Sequence, residues 1–360
     1  MTIQNASSKS ILIMAGGTGG HIFPGLAVAQ YLRLEGWRVH WLGNPKGMEF
    51  DIIKRAGITF EGVEFGGVRG KGWITKLTLP WNLLKASSKS LQIMRQVKPN
   101  VLLGMGGYIT FPAGLVASVM GYPLVLHEQN SIAGLANKIL SKVASRSLCA
   151  FPQALKNAEW VGNPLRDTLL TLPAPSQRYL ERTGPLRILV VGGSLGAQAL
   201  NETVPKAMGL IPESERPIIT HQSGQKHLSS LQANYEQAGV KANVLAFIED
   251  MAKAYSEADL VICRSGAMTV AEIAACGVAS YLVPFPYAVD DHQTSNAQFL
   301  SSIGAAILMP QTELTAQKLA QCIQSTHREQ LLEMANQALT LAKPLATARV
   351  SEVCKEVSLA

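Results

Sequence analysis

The chain opens the same way twice. The stretch "ILIMAGGTGGHIFPGLAVAQYL", residues 11–32, runs from an apolar strand pattern through the turn GGTGGH into a helix pattern. From Leu186, "LRILVVGGSLGAQALNETV" repeats the order of strand, glycine turn and helix. Strand–helix alternation of this kind builds parallel sheets with helices on their faces and right-handed crossovers. Two starts of that unit in 360 residues predict two doubly wound, Rossmann-like α/β domains, since a single core stops growing below that length.

The rest of the chain fits the same scheme. A helix is expected from about Pro24 to Leu34, then a strand "RVHWLG" and a helix near Met48–Arg55. "NVLLGMGGY" is a strand with its own glycine turn, "PAGLVASVM" a helix, and "PLVLHEQN", "RSLCA" and "EWVGNP" further strands. After the restart, "PIITHQSG", "NVLAFIED", "DLVICRSGAMTVAEIAACG" and "ASYLVPFP" continue it. The expected domains are 1–166, with a helix over 341–360 returning to it, and 167–340. Ligands of such sheets sit beyond the carboxyl ends of the strands, where every glycine turn falls. A cleft between two such domains is the expected site.

Charge is unevenly placed. From Phe65 to His127 there is no Asp or Glu, while Arg69, Lys71, Lys76, Lys85, Lys89, Arg95 and Lys98 all lie there. Their +7 equals the excess of the whole protein, which points to an anionic surface or ligand, nucleic acid or lipid. The uncharged run from Lys98 to His127 is long enough to span a bilayer, but its glycines and prolines split it into strand, loop, helix and strand. The N-terminus carries no secretory pattern. Five scattered cysteines without CxxC spacing read as reduced thiols of a cytoplasmic protein.

Glycine turns before a helix let backbone N–H groups meet a phosphate, and the helix dipole favours its charge. Tight strand–helix packing is the competing explanation for either turn. Neither turn reads GxGxxG, "RVHWLG" ends on no acidic residue, and no GxxxxGK[ST] or DxD is present. These absences argue against a dinucleotide enzyme and a P-loop nucleotidase. No His/Cys cluster has metal spacing, so no metal site is expected. Glu272, near the start of a helix, could accept from ribose hydroxyls or simply favour the helix N-terminus. "HEQN" at 127–130 and "DDHQTSNA" at 290–297 are polar clusters at strand ends, open to sugar hydroxyls or to ordinary loop and cap roles.

Taken in order, "GGTGGHIFPGLAVA", "GMGGYITFPAG", "HEQNSIAGLANK", "GNPLR", "GGSLGA", "RSGAMTVAE" and "DDHQTSNA" resemble the MurG family. These are the transferases that add N-acetylglucosamine to lipid I in peptidoglycan synthesis. The likeness runs from residue 11 to beyond residue 300. It implies the GT-B glycosyltransferase fold, an inverting reaction, and UDP-GlcNAc as donor substrate with no cofactor required.

Residue by residue, the resemblance implies uracil beside Ile248, ribose on Glu272, and the nucleotide along Ala267, Met268, Thr269, Val270 and Ala271. Ser194 would meet the diphosphate with Arg166 nearby, and Asn130 and Gln293 would hold the GlcNAc. Thr18, Gly19 and Gly20 would close on the donor from the first domain. The acceptor is undecaprenyl-diphospho-MurNAc-pentapeptide. Its diphosphate is expected at Gly16, Gly17, Gly106 and Gly107 with Tyr108. Attack by the C4 hydroxyl of MurNAc calls for a general base. His21 is the leading candidate because imidazole titrates near neutral pH, and Glu128 is the alternative. Asp291 and His292 sit where the family varies.

The resemblance also gives the acid-free region a use. Trp73, Ile74, Leu77, Leu79 and Trp81, ringed by Lys71, Lys76 and Lys85, suit docking onto anionic lipid, and tryptophan favours the lipid interface over nucleic acid. Leu84, Leu91 and Met94 recur at helical spacing and are expected in the core. The implied place is the cytoplasmic face of the bacterial inner membrane, held peripherally, with cell-wall synthesis enzymes as possible partners. Competing readings are a UDP-sugar transferase with another lipid acceptor, a UDP-GlcNAc 2-epimerase, and a non-catalytic basic module binding membrane or nucleic acid.

Overall fold

A computed structural model describes residues 9–66, 73–180, 182–193 and 195–359, with backbone alone for residues 73–76 and 289. Two compact units divide the chain: residues 1–165 with 344–360, and residues 166–343. All strand pairs in both are parallel.

In the first unit seven strands lie in the order β3-β2-β1-β4-β5-β6-β7. They are β1 (Ser10–Met14), β2 (Arg38–Gly43), β3 (Thr59–Gly62), β4 (Val101–Gly104), β5 (Leu124–Glu128), β6 (Arg146–Cys149) and β7 (Glu159–Trp160). Every residue of β1, β4 and β5 is buried, as expected of strands covered on both faces, where alternation gives way to continuous apolar runs. Ile11 and Ile13 pack into the core on one face, Leu12 and Met14 into that on the other. The closing helix Ala346–Val357 joins the first of these cores through Val350, Val353 and Cys354. Thr347 Oγ1 donates to the Leu165 carbonyl at 3.1 Å beneath it.

The second unit has six strands in the order β10-β9-β8-β11-β12-β13. These are β8 (Arg187–Val191), β9 (Ile218–Gln222), β10 (Asn243–Leu245), β11 (Leu260–Cys263), β12 (Ala279–Leu282) and β13 (Ala306–Leu308). In each sheet the order reverses beside the first strand, between β1 and β4 and between β8 and β11. Crevices for ligands form at such reversals, outside the carboxyl ends of the strands. The glycine turns at residues 15–20, 105–108 and 192–197 follow β1, β4 and β8 directly.

Two local expectations are corrected. The first helix runs Gly19–Leu34 rather than from Pro24. Thr18, extended at φ −134° and ψ 155°, is its N-cap, and its carbonyl accepts from His21 and Ile22 N–H at 3.0 and 3.2 Å. Pro24 is the sixth residue of this helix, beyond the turn whose N–H groups lack intrahelical partners, so the Gly20 carbonyl receives no helical hydrogen bond from residue 24. The second correction is Leu84, which is exposed rather than core. The helix Trp73–Val97 turns Ala86, Ser90, Ile93 and Met94 inward, and the 3.6-residue period then carries Leu84 to the outer face.

Candidate functional site

In the first unit, three strand ends converge on His21. The β1 turn and the β4 turn touch, since a side chain on Gly107 (φ +85°) would run into the Gly16 carbonyl oxygen. Gly106, at φ +95°, leaves room for the imidazole: a β-carbon there would lie 2.8 Å from His21 Nδ1. That nitrogen is 2.7 Å from Gln129 Oε1, supplied by the end of β5. Gln129 Nε2 in turn lies 3.0 Å from His127 Nδ1, and His127 Nε2 donates to the Gly162 carbonyl at 2.8 Å. His127 is fully buried, and burial pushes its pKa down to about 4, so it is neutral at pH 7.

Glu128 points elsewhere, as alternation along a strand requires. Its Oε1 accepts from the Asn130 N–H at 3.0 Å and from the Asn130 amide at 3.4 Å. Its Oε2 accepts from the Gly134 N–H at 3.1 Å and from Asn137 Nδ2 at 2.9 Å. Buried and engaged at both oxygens, it holds the 129–137 loop in shape. Gly17 also has a partner: its N–H donates to Glu49 Oε2 at 3.3 Å, while Glu49 Oε1 accepts from the Asn44 N–H at 3.0 Å. A phosphate at Gly17 would have to displace a buried carboxylate. Thr18 and Tyr108 are exposed, and Gly19, Gly20, Gly107 and Asn130 are half-buried beside them.

In the second unit, the helix Ala267–Cys276 follows β11 with Gly266 as an extended N-cap that offers no side-chain acceptor. Ala267 and Val270 are buried, while Met268, Thr269 and Ala271 are half-exposed. Glu272 Oε2 accepts from the fully buried Tyr255 hydroxyl at 2.9 Å. Desolvation raises the Glu272 pKa, and the Tyr255 hydrogen bond and the nearby Arg166 charge oppose the rise. Gln293 Oε1 accepts from the Phe285 N–H at 2.9 Å, which leaves its amide nitrogen as the donor end. Ser265 Oγ donates to the Gln293 carbonyl at 2.8 Å and ties the loop to the following helix.

The β8 turn is built for close approach. A side chain on Gly196, φ +78°, would strike the Ser223 carbonyl, and Gln222 Nε2 donates to the Gly193 carbonyl at 2.9 Å. Ser194, assigned to the diphosphate, lies outside the described residues. Arg166 is exposed and Ile248 half-buried. Among the described residues, no group of three or more His, Cys, Asp or Glu could hold a metal ion.

Comparison with known proteins gives these turns a family. Residues 11–149 match the glycosyltransferase family 28 N-terminal domain, and residues 187–350 match the family 28 C-terminal domain. Over 352 residues the chain is 61% identical to the UDP-N-acetylglucosamine–N-acetylmuramyl-(pentapeptide) pyrophosphoryl-undecaprenol N-acetylglucosamine transferase of Cupriavidus metallidurans, covering 98% of this chain and 99% of that one. The chain belongs to the MurG transferases of glycosyltransferase family 28. The Polynucleobacter asymbioticus enzyme of the same description is 60% identical over 350 residues, covering 97% and 98%. The crystal structure of Acinetobacter baumannii MurG superposes with a TM-score of 0.86 at 44% identity, over 97% of this chain and 99% of that one. A calicheamicin glycosyltransferase, at 13% identity and a TM-score of 0.66 over 97% and 98%, shares the fold. The two parallel-sheet units of this MurG-type chain are the GT-B fold of a glycosyltransferase.

Within this MurG framework, sequence reasoning missed Gln129, His127, Glu49 and Tyr255. A signal existed for the first two. In "LVLHEQN" the period of a strand places His127 and Gln129 on one side and Glu128 on the other, so a histidine pair bridged by an amide was within reach. Nothing in the sequence pairs Tyr255 with Glu272 or Glu49 with Gly17, because both contacts join separate elements.

The predicted lipid-facing residues divide by what is described. Lys71 lies outside the described residues, and of Trp73, Ile74 and Lys76 only the backbone is described. Leu77 and Trp81 are 69% and 71% exposed, with Leu84 at 62%. They stand at i, i+4 and i+7 of the helix Trp73–Val97 and form one stripe. Lys85 is exposed beside them, and Leu79 is half-buried. Among the described residues, no helix is long and apolar enough to cross a membrane.

Proposed function

We propose that this chain moves GlcNAc from UDP-GlcNAc to the C4 hydroxyl of MurNAc in lipid I, giving lipid II with a β1,4 linkage and UDP. The observation that carries this reading is the 61% identity to MurG-type transferases along 98% of the chain. In the reaction we assign, the O4–H proton passes to His21 while O4 attacks the anomeric carbon from the face opposite UDP. The carbon–oxygen bond to UDP breaks, configuration inverts, and the imidazolium returns its proton to solvent. A base of this kind contributes about 10²–10⁴-fold. Two observations favour His21 over Glu128: its ring is oriented by Gln129 beside two glycine turns, whereas both Glu128 oxygens are engaged by the loop.

The donor belongs on the second unit in this reading. Glu272 takes the ribose hydroxyls, Ile248 the uracil, Ala267–Ala271 the nucleotide, and Ser194 and Arg166 the diphosphate. Gln293 and Asn130 are assigned to GlcNAc, and Thr18, Gly19 and Gly20 are assigned to the donor as well. The leaving diphosphate gains charge, which the helix N-terminus at Ala267 stabilises electrostatically; the transfer draws on no resident cofactor. For the acceptor diphosphate, Gly106, Gly107 and the exposed Tyr108 are better placed than Gly16 and Gly17, because Glu49 occupies the Gly17 N–H.

The stripe Leu77–Trp81–Leu84 with Lys85 is assigned to peripheral binding of anionic lipid at the cytoplasmic face of the inner membrane. That surface is where an undecaprenyl-linked acceptor resides and where cell-wall synthesis enzymes could be met. Incubation with UDP-GlcNAc, with and without a lipid I analogue, tests the activity. UDP release that requires the acceptor is expected. Release without acceptor, or formation of ManNAc, would overturn the reading in favour of hydrolysis or epimerisation.

A further inference from the structure

A histidine acts as a base through one ring nitrogen only, and the hydrogen bond made by the other decides which one. Around His21 that choice follows from a chain of groups starting 2.8 Å from the Gly162 carbonyl. A carbonyl oxygen only accepts, so His127 Nε2 has to carry hydrogen. His127 is neutral, so its Nδ1 holds a lone pair. Gln129 Nε2 lies 3.0 Å from that lone pair and 3.0 Å from the His127 carbonyl oxygen. Turning the amide over would set its oxygen against two acceptors, so only one orientation satisfies the contacts. His127 and Gln129 are 0% and 1% exposed, and no bulk water can substitute for a lost partner. Gln129 Oε1 is thereby aimed at His21 Nδ1, 2.7 Å away.

We infer that Gln129, locked by His127 and the Gly162 carbonyl, fixes His21 as the Nδ1–H tautomer and so makes Nε2 its basic atom. Gln129 and His127 are positioning residues for the transfer: they set which atom of His21 takes the proton and how the ring lies. The inference rests on the reading of His21 as the base. It gives the buried polar residues of "HEQN" separate tasks, with His127 and Gln129 serving the base and Glu128 serving the loop. Histidine bases held in the wrong tautomer lose orders of magnitude in rate even when geometry is intact.

The test is nitrogen-15 NMR of the full chain labelled at histidine, with the His21 signals identified by their loss in His21→Ala. Expected is a wild-type His21 protonated on Nδ1 at a pH where the ring is neutral. Gln129→Leu, shown to be folded by wild-type circular dichroism and retained dispersion of the NMR spectrum, should lose that exclusive tautomer. Its kcat should fall by about tenfold or more, with KM for UDP-GlcNAc near wild type. Hydrogen on Nε2 of wild-type His21 overturns the inference, as does a Gln129→Leu protein with the tautomer and kcat of wild type. If Gln129→Leu does not fold, the wild-type tautomer alone decides. Failure of the base reading looks different: His21→Ala would then keep its kcat, whatever the tautomer of the wild-type ring.

Discussion

A β-carbon on Gly106 would lie 2.8 Å from Nδ1 of His21 and 3.3 Å from Oε1 of Gln129. The glycine is therefore part of the seat of the imidazole, and its φ of +95° is one that side chains rarely adopt. Gly106→Ala should push the ring off Gln129. We expect kcat with a lipid I analogue to fall by roughly tenfold or more, while UDP affinity measured by calorimetry stays near wild type. Equal kcat would mean that the position of the ring does not limit the reaction.

Tyr255 and Glu272 make the corresponding test in the second unit. The buried phenol donates to the carboxylate at 2.9 Å and counteracts the rise in its pKa that burial causes. Removing the hydroxyl with Tyr255→Phe deletes a hydrogen bond to a charged group, a contact worth about 1.5–3 kcal/mol. UDP binding should weaken by roughly tenfold, and its loss on acidification should begin at a higher pH than in wild type. ADP, expected to bind weakly to both proteins, serves as the control. Unchanged UDP affinity and pH dependence would remove Glu272 from the ribose site.

The exposed stripe predicts a surface that the chemistry can do without. Trp81→Glu places a charge at the middle of Leu77, Trp81 and Leu84. Binding to vesicles containing anionic lipid, measured by sedimentation, should drop by about tenfold or more. The kcat toward a water-soluble acceptor should be unchanged. Vesicle binding equal to wild type would place the membrane surface elsewhere.

Two buried histidines predict the acid response of stability. Burial lowers His127 to about 4 and His221 to about 3, whereas an unfolded histidine titrates near 6.5. Below pH 6.5 the unfolded chain therefore binds more protons than the folded one, so stability falls as pH falls and is fully present above that value. The loss continues toward pH 4 for the first unit and toward pH 3 for the second. Between pH 7.5 and pH 5.5 each histidine should cost about 1 kcal/mol. Denaturant unfolding at the two pH values should show the drop, and His221→Asn should reduce it in the second unit. A pH-independent midpoint across that range would contradict the burial of both rings.

Much of this architecture was legible because its signals are local. Fully buried parallel strands leave continuous apolar runs such as Ile11–Met14, and the glycine turns mark where each run meets its helix. The boundary of the first helix was less legible: Pro24 reads as a start, yet the chain turns helical five residues earlier, at Gly19 after the extended Thr18. Leu84 was misplaced because a helix with apolar residues on two faces has no unique phase, and only the burial of Ala86, Ser90 and Ile93 fixes it. His21 could be singled out by its place after GGTGG. Its partner could not, because Gln129 lies 108 positions away and only the β1–β4–β5 order brings the two together. Glu128, the alternative base by sequence, has both carboxylate oxygens engaged by Asn130, Gly134 and Asn137.

The most direct measurement is steady-state turnover of His21→Ala with UDP-GlcNAc and a lipid I analogue. The account predicts that kcat falls by about 10²–10⁴-fold while KM for UDP-GlcNAc changes by only a few-fold, since the base acts in the transition state and not in donor binding. A His21→Ala protein that turns over at the wild-type rate would contradict it.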